Sequence, residues 1–173
     1  IAPAPYASPA AYYSPTAGRM ESIEVRKGST QIKHGPFTTG GSLNYISTSI
    51  PTSKLNSVSL DIGSFGKILM QVRSGDSLGN FAYLIELYYD KMDGFKELDG
   101  GGDTGYNKTD FMTKLRYSFS ESHALEFKYS MTDELSDETY LGLTDADYSE
   151  NPLRRYRATA LDEMDADHSQ VML

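Results

Sequence analysis

Three segments of this 173-residue chain alternate strictly between apolar side chains and mixed or polar ones. They are residues 81–89, 111–119 and 125–131. A period of two residues is that of a β-strand, because successive side chains of a strand point to opposite faces of the sheet. Less regular alternation predicts further strands at 57–62, at 67–73 and from about Ser169. The pattern therefore predicts a mainly β fold.

One face of the three regular strands carries no charged residue. It holds Phe81, Tyr83, Ile85, Leu87 and Tyr89, then Phe111, Thr113, Leu115, Tyr117 and Phe119, then Leu125, Phe127, Tyr129 and Met131. A barrel wall facing lipid needs such a face, since Lys or Arg at mid-depth costs about 2–4 kcal/mol. A soluble sandwich also alternates, with its apolar face inward. If lipid covers the apolar face, the opposite face lines the lumen of the barrel. That face carries Glu86, Lys114, Arg116, Glu126 and Lys128.

The lengths of the connections favour the barrel over the sandwich. Ser74–Gly79 and Ser120–Ser122 are brief turns, whereas Met92–Thr109 and Thr132–Asp167 are long and polar. Short and long connections therefore alternate, as periplasmic turns and external loops do in outer-membrane barrels. A compact soluble domain rarely keeps two such loops without a functional reason.

Composition excludes several classes of function. The chain has no cysteine, so it has neither a disulfide framework nor a thiolate site. Its formal charge of −8, without an offsetting basic stripe, argues against nucleic-acid binding. No apolar run approaches the roughly 20 residues of a membrane helix. No GxSxG elbow or Ser–His–Asp arrangement is visible, so neither an enzyme nor a cofactor is predicted.

The first part of the chain has a different character. Residues 1–15 are rich in Ala, Pro, Tyr and Ser, which predicts an extended segment. Two short strands are expected at 22–27 and 42–47, with a helical turn over 29–33 between them. Pro51 closes this block, and we expect a domain boundary there, giving domains 1–51 and 52–173.

The block from Ile23 to Pro51 resembles the end of the plug domain of TonB-dependent outer-membrane receptors. The matching residues are Ile23-Glu24-Val25, Gly28, His34-Gly35-Pro36, Gly40-Gly41 and Leu43-Asn44. Later stretches resemble the ferric-citrate branch of that family: Asp93-Gly94-Phe95, GGGDTGYNKTDFMTKLRYSFS from Gly100 and DETYLGLTDADYSENPLRRYRATALDEMD from Asp137. His34 stands where the family usually has Tyr, and Phe37 stands where the ferric-citrate receptor has a citrate-contacting Gln.

The resemblance implies a fold, a function and a location. Residues 1–51 would be the C-terminal part of a plug domain, a small mixed sheet, and residues 52–173 the first antiparallel strands of a transmembrane β-barrel of roughly 22 strands. The chain is then expected to be an internal segment of a receptor that takes up a ferric siderophore or ferric-citrate-like chelate. Its implied partners are that ferric chelate, the TonB energy-transducing complex acting through a more N-terminal part, and the lipid of the bacterial outer membrane.

Five residues are candidates for ligand contact. The resemblance places Phe37 and Thr38 at the ligand-facing apex of the plug. Arg154, Arg155 and Arg157 cluster in an acidic loop, and the guanidinium fork suits a carboxylate-rich chelate. The alternative is that these arginines form salt bridges with nearby acids, namely Asp145, Asp147, Glu163 and Asp165.

Two weaker hypotheses remain. Asp103, Asn107 and Asp110 faintly resemble a calcium loop, although the spacing and final Glu of an EF-hand are absent. The three histidines, His34, His123 and His168, lack metal-ligand spacing, so no metal site is predicted. The alternative function is a soluble all-β adhesin or calcium-binding domain, and a surface hydrolase has the least support.

Overall fold

The structure is a computed structural model that describes residues 14–28 and 40–173, and the described part is mainly antiparallel β. It divides into two compact units, residues 1–49 and 50–173. The helix α1 spans Asp145–Glu150, and short 3₁₀ turns span Ala17–Arg19 and Arg157–Thr159. The strands are β1 (Met20–Lys27), β2 (Gly41–Ser47), β3 (Leu55–Ile62), β4 (Ile68–Leu78), β5 (Phe81–Met92), β6 (Glu97–Leu98), β7 (Tyr106–Ser120), β8 (His123–Ser136), β9 (Arg154–Arg155) and β10 (Met164–Met172).

The first unit contains the antiparallel pair β1–β2, in which Val25 faces Leu43. Both strands were predicted, and both are confirmed. The pair is antiparallel throughout, whereas a mixed sheet was expected; the described part of this unit contains only these two strands, which are consecutive in the chain. The predicted helical turn at 29–33, together with His34, Phe37 and Thr38, lies outside the described residues.

The second unit is built on a six-stranded antiparallel sheet in the order β10-β8-β7-β5-β4-β3. The six predicted strands are confirmed, and consecutive long strands are neighbours in the sheet. Two-residue turns therefore lie at one end of the sheet, here the turn end, at 79–80 and 121–122. The other end, the loop end, carries connections 63–67, 93–105 and 137–163. Within the described residues β3 and β10 each pair on one side only, so the sheet is open and forms no closed barrel.

The strands run further than the hydrophobic pattern predicted. β4 continues to Leu78, so the predicted turn at Ser74–Gly79 is wrong and the actual turn is 79–80. The apolar alternation ends at Tyr89 and Met131, yet β5 continues to Met92 and β8 to Ser136. Cross-strand ion pairs explain the extension: Lys108 contacts Glu134 at 2.7 Å, and Lys67 contacts Asp90. Opposite charges on neighbouring strands stabilise a sheet where the apolar pattern gives no guidance.

The two faces of the six-stranded sheet differ in composition and in burial. We call the polar face the one that includes Glu86, Lys114, Arg116, Glu126 and Lys128, which the register places together because Lys114 faces Lys128 and Arg116 faces Glu126. This face contains the buried residues Leu84, Glu86, Asp110, Met112, Lys114, Ser130 and Thr132. The apolar face is the opposite one, and it exposes Phe81, Ile85, Leu115, Tyr117, Phe119, Leu125 and Met131.

A charged cluster lies at the centre of the polar face. Glu86 is fully buried, and its Oε1 accepts hydrogen bonds from Arg73 Nε at 2.6 Å and Gln71 Nε2 at 2.9 Å. The three residues come from the neighbouring strands β4 and β5. A buried carboxylate needs such donors because desolvation penalises its charge.

Replacing Glu86 with Ala is expected to destabilise the protein by about 3 kcal/mol, because the Arg73 guanidinium then loses its buried counter-charge. The check is chemical unfolding in the medium in which the protein folds. Glu126→Ala is the matched control: this residue lies on the same face but is exposed. An equal loss of stability in both variants would contradict the assignment of Glu86 as a buried ion-pair partner.

Candidate functional site

The two long connections at the loop end are joined to each other. β6 in one connection pairs in parallel with β9 in the other, with Glu97 facing Arg154 and Leu98 facing Arg155. The Glu97 amide donates to the Leu153 carbonyl at 2.7 Å, and the Asp99 amide donates to the Arg155 carbonyl at 2.8 Å. We call residues 93–105 and 137–163 together the loop cap. The sequence predicted two separate polar loops, and their pairing was missed because it joins positions far apart in the chain.

Arg154 is the most connected side chain of the loop cap. Its Nε and Nη2 donate to the Asp99 carboxylate at 3.0 and 2.9 Å, and its Nη1 donates to Asp147 Oδ1 at 2.7 Å. The guanidinium also lies over the Tyr156 ring, 5.2 Å from its centroid. The hydrogen bond with Asp99, more than any other contact, raises the pKa of Arg154. The fork geometry of arginine allows one side chain to hold two carboxylates.

Asp147 lies in α1 and receives donors from three directions. Thr144, the N-cap of α1, accepts from the Asp147 amide at 3.2 Å and donates its hydroxyl to Asp147 Oδ2 at 2.6 Å. The Tyr156 hydroxyl donates to the same oxygen, and Arg154 binds the other. Hydrogen bonds to a carboxylate favour its charged form. The Thr144 bond, followed by the Tyr156 bond and Arg154, lowers the pKa of Asp147.

Arg155 is buried and is used by its own loop. Its Nη2 donates to the carbonyls of Thr159 at 2.7 Å and Asp162 at 2.9 Å, its Nε to Thr159 Oγ1 at 2.9 Å, and its Nη1 to the carbonyl of Asp137. These bonds gather both ends of the 137–163 connection around one side chain. Its donors therefore face backbone and hydroxyl oxygens rather than a ligand.

Arg157 occupies a different environment from the other two arginines. It is exposed and donates from Nη1 to the Gly101 carbonyl at 3.1 Å, at the glycine run of the first long connection. The predicted cluster is therefore split. Arg154 and Arg155 hold the loop cap together, and Arg157 is the member of the three whose guanidinium is open to solvent.

The loop cap carries an acidic cleft that is open to solvent. The cleft has a volume of about 470 Å³ and is lined by Glu97, Leu98, Asp99, Gly100, Asp147, Glu150, Asn151 and Arg154. Its lining brings four carboxylates together with one guanidinium. Such a field disfavours a polyanion, because like charges repel strongly in a partly desolvated cleft. The cleft itself is therefore a poor place for a citrate-like chelate.

The calcium-loop hypothesis finds no geometric support. Asn107 and Asp110 lie on opposite faces of β7, and Asp110 is fully buried on the polar face, so they do not converge with Asp103 as calcium ligands. Within residues 14–28 and 40–173, no group of three or more His, Asp or Glu side chains is arranged to hold a metal ion. His123 is the exposed first residue of β8 and lies beside the hydroxyls of Ser120 at 3.1 Å and Ser122 at 3.0 Å.

The part of the chain that the structure describes contains no helix with the length and apolar character needed to cross a membrane. Comparison of the sequence and fold with protein-family models, curated proteins and solved structures yields no significant match.

Some partners in the loop cap were within reach of sequence reasoning and others were not. Thr144 and Asp147 have the spacing of a helix capping pair, which marks the start of α1. Asp147 was also among the acids proposed as salt-bridge partners of the arginines, and its bond with Arg154 confirms that alternative for one pair. No sequence pattern indicated that Asp99 and Tyr156 are partners in the loop cap.

Because its pKa is lowered in the folded protein, Asp147 contributes stability above its ordinary pKa of 3.8. That contribution is lost as the pH falls from 3.8 through the lowered folded value. We expect an NMR titration of the Asp147 carboxyl to give a midpoint below 3.8. Tyr156→Phe removes one donor and should move the midpoint upward. A midpoint at or above 3.8 in the unmodified protein would contradict the donor geometry.

Proposed function

We propose that this chain is part of a TonB-dependent receptor of the bacterial outer membrane that takes up a ferric siderophore or a ferric-citrate-like chelate. Residues 1–51 form part of its plug and residues 52–173 form strands of its barrel. The observation that carries the proposal is the burial pattern of the six-stranded sheet, whose polar face is buried at its centre and whose apolar face is exposed. Exposure of the apolar face to water is unfavourable in free energy, whereas its contact with lipid is favourable.

The height of the apolar face suits a bilayer. It spans residues 81–89 of β5 and 111–119 of β7, about 27 Å along each strand at ~3.4 Å per residue. A strand tilt of about 40° reduces this to ~20 Å along the membrane normal, close to the ~25 Å apolar band of outer-membrane barrels. At the loop end the band stops at the directly opposed carboxylates Asp133 and Asp167, which belong outside hydrocarbon.

Aromatic pairs lie at both ends of the apolar band. At the turn end, Phe81 stacks on Tyr83 with centroids 6.3 Å apart, and Tyr117 meets Phe119 edge-on at 5.1 Å. At the loop end, Phe65 meets Phe95 at 6.4 Å. Aromatic girdles at the two interfaces are typical of outer-membrane barrels. The pairs support a sheet that spans the bilayer, and the short connections at the turn end then assign that end to the periplasm.

The connections and open edges agree with the same orientation. The loop end, with its three longer connections, would face the outside, where binding residues concentrate on loops. In the proposed receptor the edges of β3 and β10 pair with further barrel strands, which removes two unpaired edges prone to aggregation. A soluble adhesin built from this sheet would have to leave its large apolar face in water.

The ligand assignment is supported by the sequence resemblance and by one arginine. Arg157 is exposed on the outer side of the proposed orientation, and a guanidinium suits the carboxylates of a citrate-like chelate. Phe37 and Thr38 remain proposed contacts through the resemblance of the plug block. Arg154 and Arg155 are not proposed as contacts, because their donors are occupied within the loop cap.

Uptake of radioactive iron tests the proposal. Cells lacking the gene are supplied with the intact protein and offered ferric citrate and a panel of ferric siderophores under iron limitation. We expect uptake of at least one chelate that depends on TonB, and Arg157→Ala should raise its half-saturating concentration about tenfold through loss of a charge-assisted hydrogen bond.

Lys54→Ala is the matched control, since Lys54 is an exposed cation at the turn end of the sheet. Its uptake is expected to equal that of the unmodified protein. Absence of uptake for every chelate, with the protein present in the outer membrane, would refute the transport function. Normal uptake by the Arg157 variant would refute only the assigned ligand contact.

A further inference from the structure

We propose that Arg154 is a latch that joins the two long connections of the loop cap into one body, so that residues 137–163 do not act as an independent lid. The guanidinium holds Asp99 of the first connection and Asp147 of the second at the same time. This inference concerns the mechanics of the loops and does not depend on which ligand is bound or transported.

Polar contacts dominate the attachment between the two connections. Besides the β6–β9 pair, Lys96 donates to the Pro152 carbonyl at 2.8 Å, Asn151 donates to Glu97 at 3.0 Å, and Arg157 donates to the Gly101 carbonyl. The buried apolar residue at the pair is Leu98. Segments with little buried apolar contact open at low free energy, so the strength of the polar latch decides whether the connections separate.

Arg154 differs from the other cations at this junction in the groups that it binds. Lys96 and Arg157 bind carbonyl oxygens, whereas Arg154 binds carboxylates from both connections. Without its charge, Glu97 and Asp99 of the first connection would face Asp147 and Glu150 of the second across the same cleft. The electrostatic interaction between the connections would then change from attraction to repulsion.

Each connection also has hydrogen bonds that do not involve the latch. In the first, the Asp93 amide donates at 2.8 Å to the Phe65 carbonyl of the neighbouring 63–67 connection, and Thr104 donates to the Lys96 carbonyl at 2.8 Å. In the second, the Tyr148 amide donates to the Thr144 carbonyl at 2.9 Å inside the α1 turn. Release of Arg154 should therefore separate two preformed connections rather than unfold them.

Hydrogen exchange of four backbone amides in the intact protein tests the latch. The Glu97 and Asp99 amides report the pairing between the connections, and the Asp93 and Tyr148 amides report hydrogen bonds of each connection that the latch does not make. Arg154→Gln is expected to accelerate exchange at Glu97 and Asp99 about tenfold or more, through loss of the charge-assisted bonds. Exchange at Asp93 and Tyr148 should stay unchanged.

Two further variants sharpen the test. Arg157→Gln removes the same charge from the same segment but only one bond to a carbonyl, so it is expected to accelerate exchange at Glu97 and Asp99 much less than Arg154→Gln does. Arg154→Lys keeps the charge without the fork, so exchange at Glu97 and Asp99 should be intermediate. Unchanged exchange at Glu97 and Asp99 in Arg154→Gln would overturn the latch. Equal acceleration at all four amides would also overturn it, because the connections would then be unfolding rather than separating.

Discussion

The register between β5 and β7 is the constraint on which the rest of the second unit depends. It places Glu86 opposite Met112 and Leu84 opposite Lys114, so that the charged and buried side chains share one face. A slip of one residue would turn Glu86 or Lys114 onto the apolar face, since strand side chains alternate with a period of two. The ion pair of Glu86 with Arg73 extends the same ordering to β4.

The same pairing of consecutive strands also creates the loop cap. Because β5, β7, β8 and β10 are antiparallel neighbours, the connections 93–105 and 137–163 leave the sheet at the same end. Their proximity allows β6 to pair with β9 and Arg154 to reach Asp99. Arg155 then fixes the longer connection to itself through backbone carbonyls. The sheet thus brings the two connections close together, and polar side chains then join them.

The sequence predicted where the strands lie but not their full length or the contacts between their side chains. Alternation identified the six strands of the sheet, since period two is a direct consequence of strand geometry. It ended too early wherever ion pairs such as Lys108–Glu134 continue the sheet, because a charged residue gives no apolar signal. The Arg154–Asp99 contact, 55 residues apart in the chain, depends on the register and had no local signature. Which face is buried also required the structure, because both a sandwich and a membrane wall alternate.

The central claim is that lipid covers the apolar face, and a nitroxide scan along β7 tests it most directly. The chain has no cysteine, so single cysteines can be introduced at each position from 111 to 119 and labelled in protein that has been reconstituted with lipid bilayers. We expect collisions with lipid-dissolved oxygen to peak at Phe111, Thr113, Leu115, Tyr117 and Phe119 and to fall at the positions between them. Oxygen accessibility without this alternation, or preferential access of a water-soluble relaxant to the odd-numbered positions, would contradict the claim.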